Sequence, residues 1–273
     1  TDVITSNGIN FIKQHKKQPF FLYLAHLGVH FPWQSPDDGH LQTRVKGEDF
    51  TSNKPGKQSK LGPHKPKEVP TVVHEMIESL DRNIGRLVQF LEEEGLADNT
   101  FIFFTSDNGQ YLDYDGKTWP KVGSNGKLNG EKGDLYEGGH RVPAIAYWPG
   151  KIPENVISDE TLMSMDILPT VLKIIGSPMP NQNGKNALDG TSFLDLITQR
   201  KAMPQRTIFW KTPEAKAARK GNWKILFNEE NKEGMLFDLS NDLGENYNVK
   251  SNNSKIFQTL SKALQEWERE ISL

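Results

Sequence analysis

Two apolar, aromatic-rich runs without alternation constrain this chain most: Phe20-Phe21-Leu22-Tyr23-Leu24-Ala25, introduced by Pro19, and Phe101-Ile102-Phe103-Phe104. Consecutive apolar residues over a strand's length predict a strand buried on both faces, the condition met in parallel sheets. Between the runs, Val73, Ile77, Leu80, Ile84, Leu87, Val88 and Leu91 recur at spacings of three and four, which predicts one amphipathic helix over Thr71 to Glu94, stopped by Gly95. Strand, helix and strand form a right-handed crossover, so the expected class is α/β with a mostly parallel sheet and helices on both faces.

The rest of the chain divides by texture. Ser35 to Pro70 is rich in Gly, Pro, Ser, Asn and Lys without a hydrophobic period, and reads as a long surface excursion carrying Lys46, Lys54, Lys57, Lys60, Lys65 and Lys67. Gly123 to Gly139 is too glycine-rich for a regular element. A third apolar run, Pro143 to Trp148, closes at Pro149-Gly150, and a helical pattern follows over Leu162 to Ile175 with Pro169 near its start. From about Pro204, short strand-like pieces (Thr207 to Trp210, Trp223 to Phe227, Met235 to Leu239) lead into an amphipathic helix from Ser254 to Ile271. The expected organisation is an α/β domain over 1–200 and a small α+β domain with an antiparallel sheet over 201–273.

Composition narrows the function. A formal charge of -2 gives the molecule no strong field, which argues against nucleic acid and leaves any anion site local. No apolar run is long enough to span a bilayer. With no cysteine, the chain has neither disulfides, thiolate metal ligands nor a thiol nucleophile.

Three features suit chemistry on an anionic ester: His30 after the first run, Asp107-Asn108-Gly109 after the second, and Lys132 within Asn129-Gly130-Glu131-Lys132-Gly133. Strand ends in a parallel sheet share one rim, where ligands bind. An Asp carboxylate beside an Asn carbonyl offers hard oxygens suited to Ca2+ or Mg2+, and the following glycine permits a tight turn. Lysine supplies a compact positive charge, and histidine exchanges a proton near neutral pH. Each signal alone is unspecific, since Asp-Asn-Gly is foremost a turn sequence.

Their order is specific. Pro19 to Ala25 with His30-Phe31-Pro32, then Phe104-Thr105-Ser106-Asp107-Asn108-Gly109, then Lys132-Gly133 before Tyr136-Glu137-Gly138-Gly139-His140-Arg141-Val142-Pro143, resemble the sulfatase family. Asp166 to Thr170, Leu188 to Ser192, Arg219 to Lys224 and Leu236 to Leu239 resemble its downstream part, so the likeness covers nearly the whole chain.

The resemblance implies an alkaline-phosphatase-like α/β domain, here incomplete, with a small C-terminal α+β domain. It implies a sulfuric ester hydrolase using one divalent cation, commonly Ca2+ with Mg2+ as the alternative, held in part by Asp107 and Asn108. Lys132 would hold the sulfate, His30 would contact sulfate or assist the leaving group, and His140 would contact substrate. The family's remaining metal aspartates and its formylglycine, made from Cys or Ser in a Cys/Ser-x-Pro/Ala-x-Arg segment, have no counterpart here, because there is no Cys and no arginine has a Ser four positions earlier. The expectation is therefore the C-terminal part of a longer enzyme, with the nucleophile upstream of Thr1, inactive alone, weak in metal binding and prone to self-association through uncovered surfaces. Its substrate would be a sulfated small molecule or carbohydrate, and its location periplasmic or secreted. Two rivals share much of the pattern: a phosphatase or phosphodiesterase of the same superfamily, and a non-catalytic anion- or carbohydrate-binding module.

Overall fold

A computed structural model describes residues 1–36, 66–112, 122–180 and 187–271. Most of the lysine-rich excursion lies outside them. The chain forms two compact units, residues 1–100 with 111–124, and residues 101–110 with 125–273.

In the first unit, helix α1 (Asp2–His15) packs on helix α2 (Val69–Glu93). Pro70 sits in the first turn of α2, where a missing N–H costs nothing. Gly95, at φ 64°, ends the helix as expected, and Leu96 N–H bonds back to Leu91 O at 2.8 Å. Asn83 ties the two helices by donating to Asp2 Oδ1 at 2.9 Å. Trp33, Val69, Val72 and Val73 form a buried cluster.

The run Phe20 to Ala25 departs from expectation. It is in no described ladder, and its side chains alternate: Leu22 and Leu24 are half-buried, while Phe21 and Tyr23 are 70% and 80% exposed. A Cβ on Gly8 would lie 2.9 Å from a Leu24 methyl carbon, so the missing side chain in α1 is what admits this segment. Phe20 meets Phe11 of α1 edge-on at 6.3 Å.

In the second unit, strand β1 (Ile102–Thr105) pairs with β2 (Ala144–Tyr147). The pairing is antiparallel, with Thr105 opposite Ala144. The expected parallel crossover between the first two apolar runs is thus not among the described ladders, all of which are antiparallel. The physical reason is that an apolar run fixes neither strand direction nor burial on both faces: Phe104 remains 37% exposed, and β1 is flanked by rings in its own unit, where Phe103 meets Phe193 at 5.3 Å and Phe101 meets Trp148 at 5.8 Å.

Two short helices follow α3 (Glu137–His140), namely α4 (Ile167–Ile174) and α5 (Leu194–Gln199). Asp166 is fully buried before α4, where Arg206 grips both its oxygens and the amides of Met163 and Thr191 donate to them at 2.7 and 2.8 Å. That carboxylate is why the Asp166 and Gly190-Thr191 segments belong together.

The C-terminal sheet is a meander of β3 (Thr207–Lys211), β4 (Lys216–Lys220), β5 (Trp223–Phe227) and β6 (Met235–Asp238), covered by α6 (Ser254–Glu270). Ala218, Ile225 and Leu236 face Leu260 and Leu264 of α6. Ala217, Leu226, Met235 and Phe237 cover the other face with Leu135, Tyr136 and Trp210. Both faces are buried, and the second carries the residues just before α3.

Candidate active site

Antiparallel pairing sets the geometry, because it puts the end of β1 beside the start of β2 and so gathers residues 106–110 and 137–143 at one edge. Thr105 Oγ1 donates to Pro143 O at 3.1 Å across that edge. Backbone then meets backbone at three glycines. Gly109 N–H donates to Gly139 O at 3.0 Å, and Gly138 N–H to Asn129 O at 2.6 Å. A Cβ on Gly109 would fall 1.7 Å from Gly138 O, and one on Gly139 would fall 2.2 Å from Asp134 O. No other residue allows this approach.

The same contacts bring Lys132 in. Its N–H donates to Gln110 O at 3.2 Å, two residues beyond Asn108. Asp134 Oδ2 accepts the Glu131 N–H at 2.8 Å, and Gly133, at φ 103°, closes the turn that carries Lys132. Asn125 clamps both loops: its Oδ1 accepts Gln110 N–H at 2.9 Å while Nδ2 donates to Gly130 O at 2.9 Å. The structure therefore brings Asp107, Asn108, Lys132 and His140 into one loop cluster. His30 lies in the first unit, exposed, with Nδ1 2.5 Å from Phe31 O.

The donor set fits part of a hard-cation shell. Asp107 is exposed, and its carboxylate makes no hydrogen bond or ion pair among the described residues. Asn108 donates from Nδ2 to Gly109 O at 2.9 Å, which leaves Oδ1 as the free end. Two adjacent oxygens fall short of the about six to eight that Ca2+ takes. Among the described residues no group of three or more His, Asp or Glu is gathered to complete it.

Beneath the loops lies a charge cluster that the sequence did not announce. Arg219 of β4 and Lys224 of β5 stand directly opposite in the ladder, on the buried face. Like charges so placed repel, and Glu137 resolves the conflict. Its carboxylate, fully buried, takes Arg219 Nη1 at 2.6 Å and Lys224 Nζ at 3.0 Å, with Arg141 Nη1 at 3.6 Å. Burial alone would raise the Glu137 pKa, but Lys224 and Arg219 outweigh it and hold the group below its ordinary 4.5. Glu245 shares only Lys224, and burial raises its pKa. Its Oε2 also accepts Glu137 N–H at 2.7 Å.

His140 belongs to this cluster. Its ring stacks on Trp210 with centroids 4.5 Å apart, and Nε2 lies 3.4 Å from Lys224 Nζ. Burial first, then Lys224, lower its pKa from 6.5 to about 4, so the imidazole is neutral at pH 7. Glu137, Lys224, Arg219 and Asn125 were given no role by the sequence, although Glu137 stood within the Tyr136 to Pro143 motif and Arg219 and Lys224 at the two ends of the Arg219 to Lys224 motif.

The arrangement is a strand-end loop that offers a carboxylate and an amide oxygen beside the turn carrying Lys132, braced by buried charge. Comparison with known proteins gives the chain's family. The family model described as Sulfatase matches residues 1–177, and one described as N-sulphoglucosamine sulphohydrolase, C-terminal, matches residues 130–270. The chain belongs to the sulfatase family. It is 30% identical over 263 residues to arylsulfatase A of Bos taurus, covering 86% of this chain and 45% of that protein. An arylsulfatase of Hemicentrotus pulcherrimus is 30% identical over 228 residues, covering 83% of this chain and 35% of that one. The crystal structure of Ps i-CgsB matches with a TM-score of 0.75 at 26% identity, over 97% of this chain and 54% of that chain. A second structure of Ps i-CgsB, in complex with k-i-k-neocarrahexaose, matches equally well. The chain thus spans about half or less of the length of these relatives, and its fold is the alkaline-phosphatase-like α/β fold they share.

Proposed function

We propose that this chain supplies one wall of a sulfate-ester hydrolase site that acts on a sulfated carbohydrate. The observation that carries the reading is the glycine-mediated contact of residues 107–110 with 129–139, which sets Asp107 and Asn108 beside the Lys132 turn. Asp107 and Asn108 would contribute two oxygens to a divalent cation, Ca2+ or Mg2+. When bound, such an ion supplies charge that stabilises anionic oxygens.

Lys132 attracts a sulfate oxygen; at about 4 Å the pair gains roughly 4 kcal/mol at an effective dielectric near 20. His30 would contact sulfate or protonate the departing oxygen. His140 presents a neutral ring to the substrate. The carbohydrate class is supported by the sugar complex of Ps i-CgsB. Export to the periplasm or medium rests on the family resemblance alone; among the described residues no helix is long and apolar enough to cross a membrane.

The 273 residues contain no Cys and no Ser four positions before an Arg, so the nucleophile is not among them and the chain alone is expected to be inactive. The test is turnover of an aryl sulfate and of sulfated oligosaccharides by the chain, and by the product of the complete reading frame with Asp107→Ala and Lys132→Ala variants. Activity of the purified chain, or a complete protein indifferent to both substitutions, would refute the assignment. The rival reading is a non-catalytic anion-binding module. It predicts binding of sulfated sugar by the complete protein without sulfate release.

A further inference from the structure

Lys224 is fully buried and shared by two carboxylates, an arrangement that sulfate chemistry does not itself require. Its ammonium has three N–H donors and no acceptor. Three acceptors surround Nζ: Glu245 Oε1 at 2.9 Å, Glu137 Oε1 at 3.0 Å and His140 Nε2 at 3.4 Å. Because Lys224 can only donate, Nε2 is the accepting nitrogen and the ring proton sits on Nδ1. The charged and titratable groups around this ring are Glu137 from its own turn, Arg219 from β4 and Lys224 from β5, with Trp210 of β3 stacked against its face.

We propose that Lys224 is a positioning residue for the candidate site: it fixes His140 as the Nδ1–H imidazole on Trp210 and, through Glu137, seats the Gly138-Gly139 turn against Gly109. The chain of contacts is continuous. Lys224 and Arg219 hold the Glu137 side chain, Glu245 holds its N–H, and two residues on Gly139 O accepts the Gly109 N–H that ends the Asp107-Asn108 loop. A rigid β4–β5 ladder thereby sets loops that glycine leaves free to move. The functional meaning rests on the reading of Asp107, Asn108 and Lys132 as a sulfatase site; the geometry does not.

The test uses the 273-residue chain with 15N-labelled histidine, His140 being assigned by the signal lost in His140→Gln. Long-range NMR correlations at pH 6 should report a neutral His140 with its proton on Nδ1. An Nε2–H tautomer or an imidazolium at pH 6 would overturn the proposal without any further variant. In Lys224→Met, checked for native amide dispersion, the Nδ1–H signature should be lost, the ring should take up its proton at a higher pH than the wild-type value of about 4, and the Gly109 amide should exchange faster. A folded Lys224→Met chain with unchanged His140 signals and unchanged Gly109 exchange would equally overturn it, and if this variant does not fold the wild-type tautomer decides. All readouts are free of substrate and metal. A complete protein without sulfatase activity would sink the proposed function and leave this result standing.

Discussion

Lowering the pH should destabilise the second unit through one ring. His140 has an ordinary pKa of 6.5 and a folded value of about 4, so between those values the unfolded chain binds the proton and the folded chain does not. The sign follows: stability is fully present above 6.5 and is lost as pH falls toward 4. At 1.36 kcal/mol per pH unit the interval corresponds to about 3 kcal/mol in full, and about 2 kcal/mol is already lost at pH 5. The side chain is 21% exposed, low enough for solvent to screen little of this.

Other groups move in the same region. Glu137 adds a loss of the same sign, but only below about 4.5, while Glu245, raised by burial, opposes it. His26, lowered by burial in the first unit, contributes separately. The His140→Gln variant isolates the ring, since Gln keeps an oxygen for Lys224 and cannot titrate. Urea unfolding at pH 7.5 and 5.0, read by hydrogen exchange in peptides from β4 and β5, follows this unit without assuming that both units unfold together. Wild type should lose about 2 kcal/mol more than the variant over this interval. Equal losses would refute the argument that a buried neutral imidazole sits beside Lys224.

Further outcomes follow from the same contacts. Glu137→Gln leaves Arg219 and Lys224 opposed without their shared counter-ion and should cost about 3–5 kcal/mol, measured by the same exchange experiment. Asp166→Ala strips Arg206 of its bidentate partner and two amides of their acceptor, with a loss of about the same size; a melting temperature within 2 °C of wild type, an on-the-order-of 1 kcal/mol threshold, would contradict it. Gly109→Ala would drive a methyl into Gly138 O, so exchange should quicken at the Lys132 amide, whose acceptor is Gln110 O; unchanged protection there would mean the loops are not joined as described. Calorimetry with Ca2+ should give weak binding to the chain, abolished by Asp107→Ala, because two oxygens make only part of a shell; tight binding would show that other residues complete it.

Much of this protein was legible from its residues. Helix α2 followed from its apolar spacing and Gly95, α6 from its own amphipathic stripe, and three of the four C-terminal strands from short runs between turns. Membership of the sulfatase family was carried by the order of motifs around His30, Asp107-Asn108 and Lys132. Strand β4 was not legible, since Lys216-Ala217-Ala218-Arg219-Lys220 has neither β-branched nor aromatic residues and becomes a strand only because β3 and β5 satisfy its backbone on both sides. Strand direction was likewise invisible. Apolar content marks a segment without fixing its burial, its direction or its partner, which depend on what else surrounds it; so Phe20 to Ala25 came to lie along α1 with Phe21 and Tyr23 exposed, and β1 to pair antiparallel with β2.

The sequence by itself determined which chemical groups the candidate site can draw on: hard oxygens at Asp107 and Asn108, a cation at Lys132, the imidazoles of His30 and His140, and no thiol. Tertiary structure alone decided their condition. Glu137 and Lys224 are 87 residues apart in the chain, and no local pattern joins them. Only the fold removes both from water, and in that low-dielectric setting each charge must find a partner, which is what fixes His140 and the loops above it.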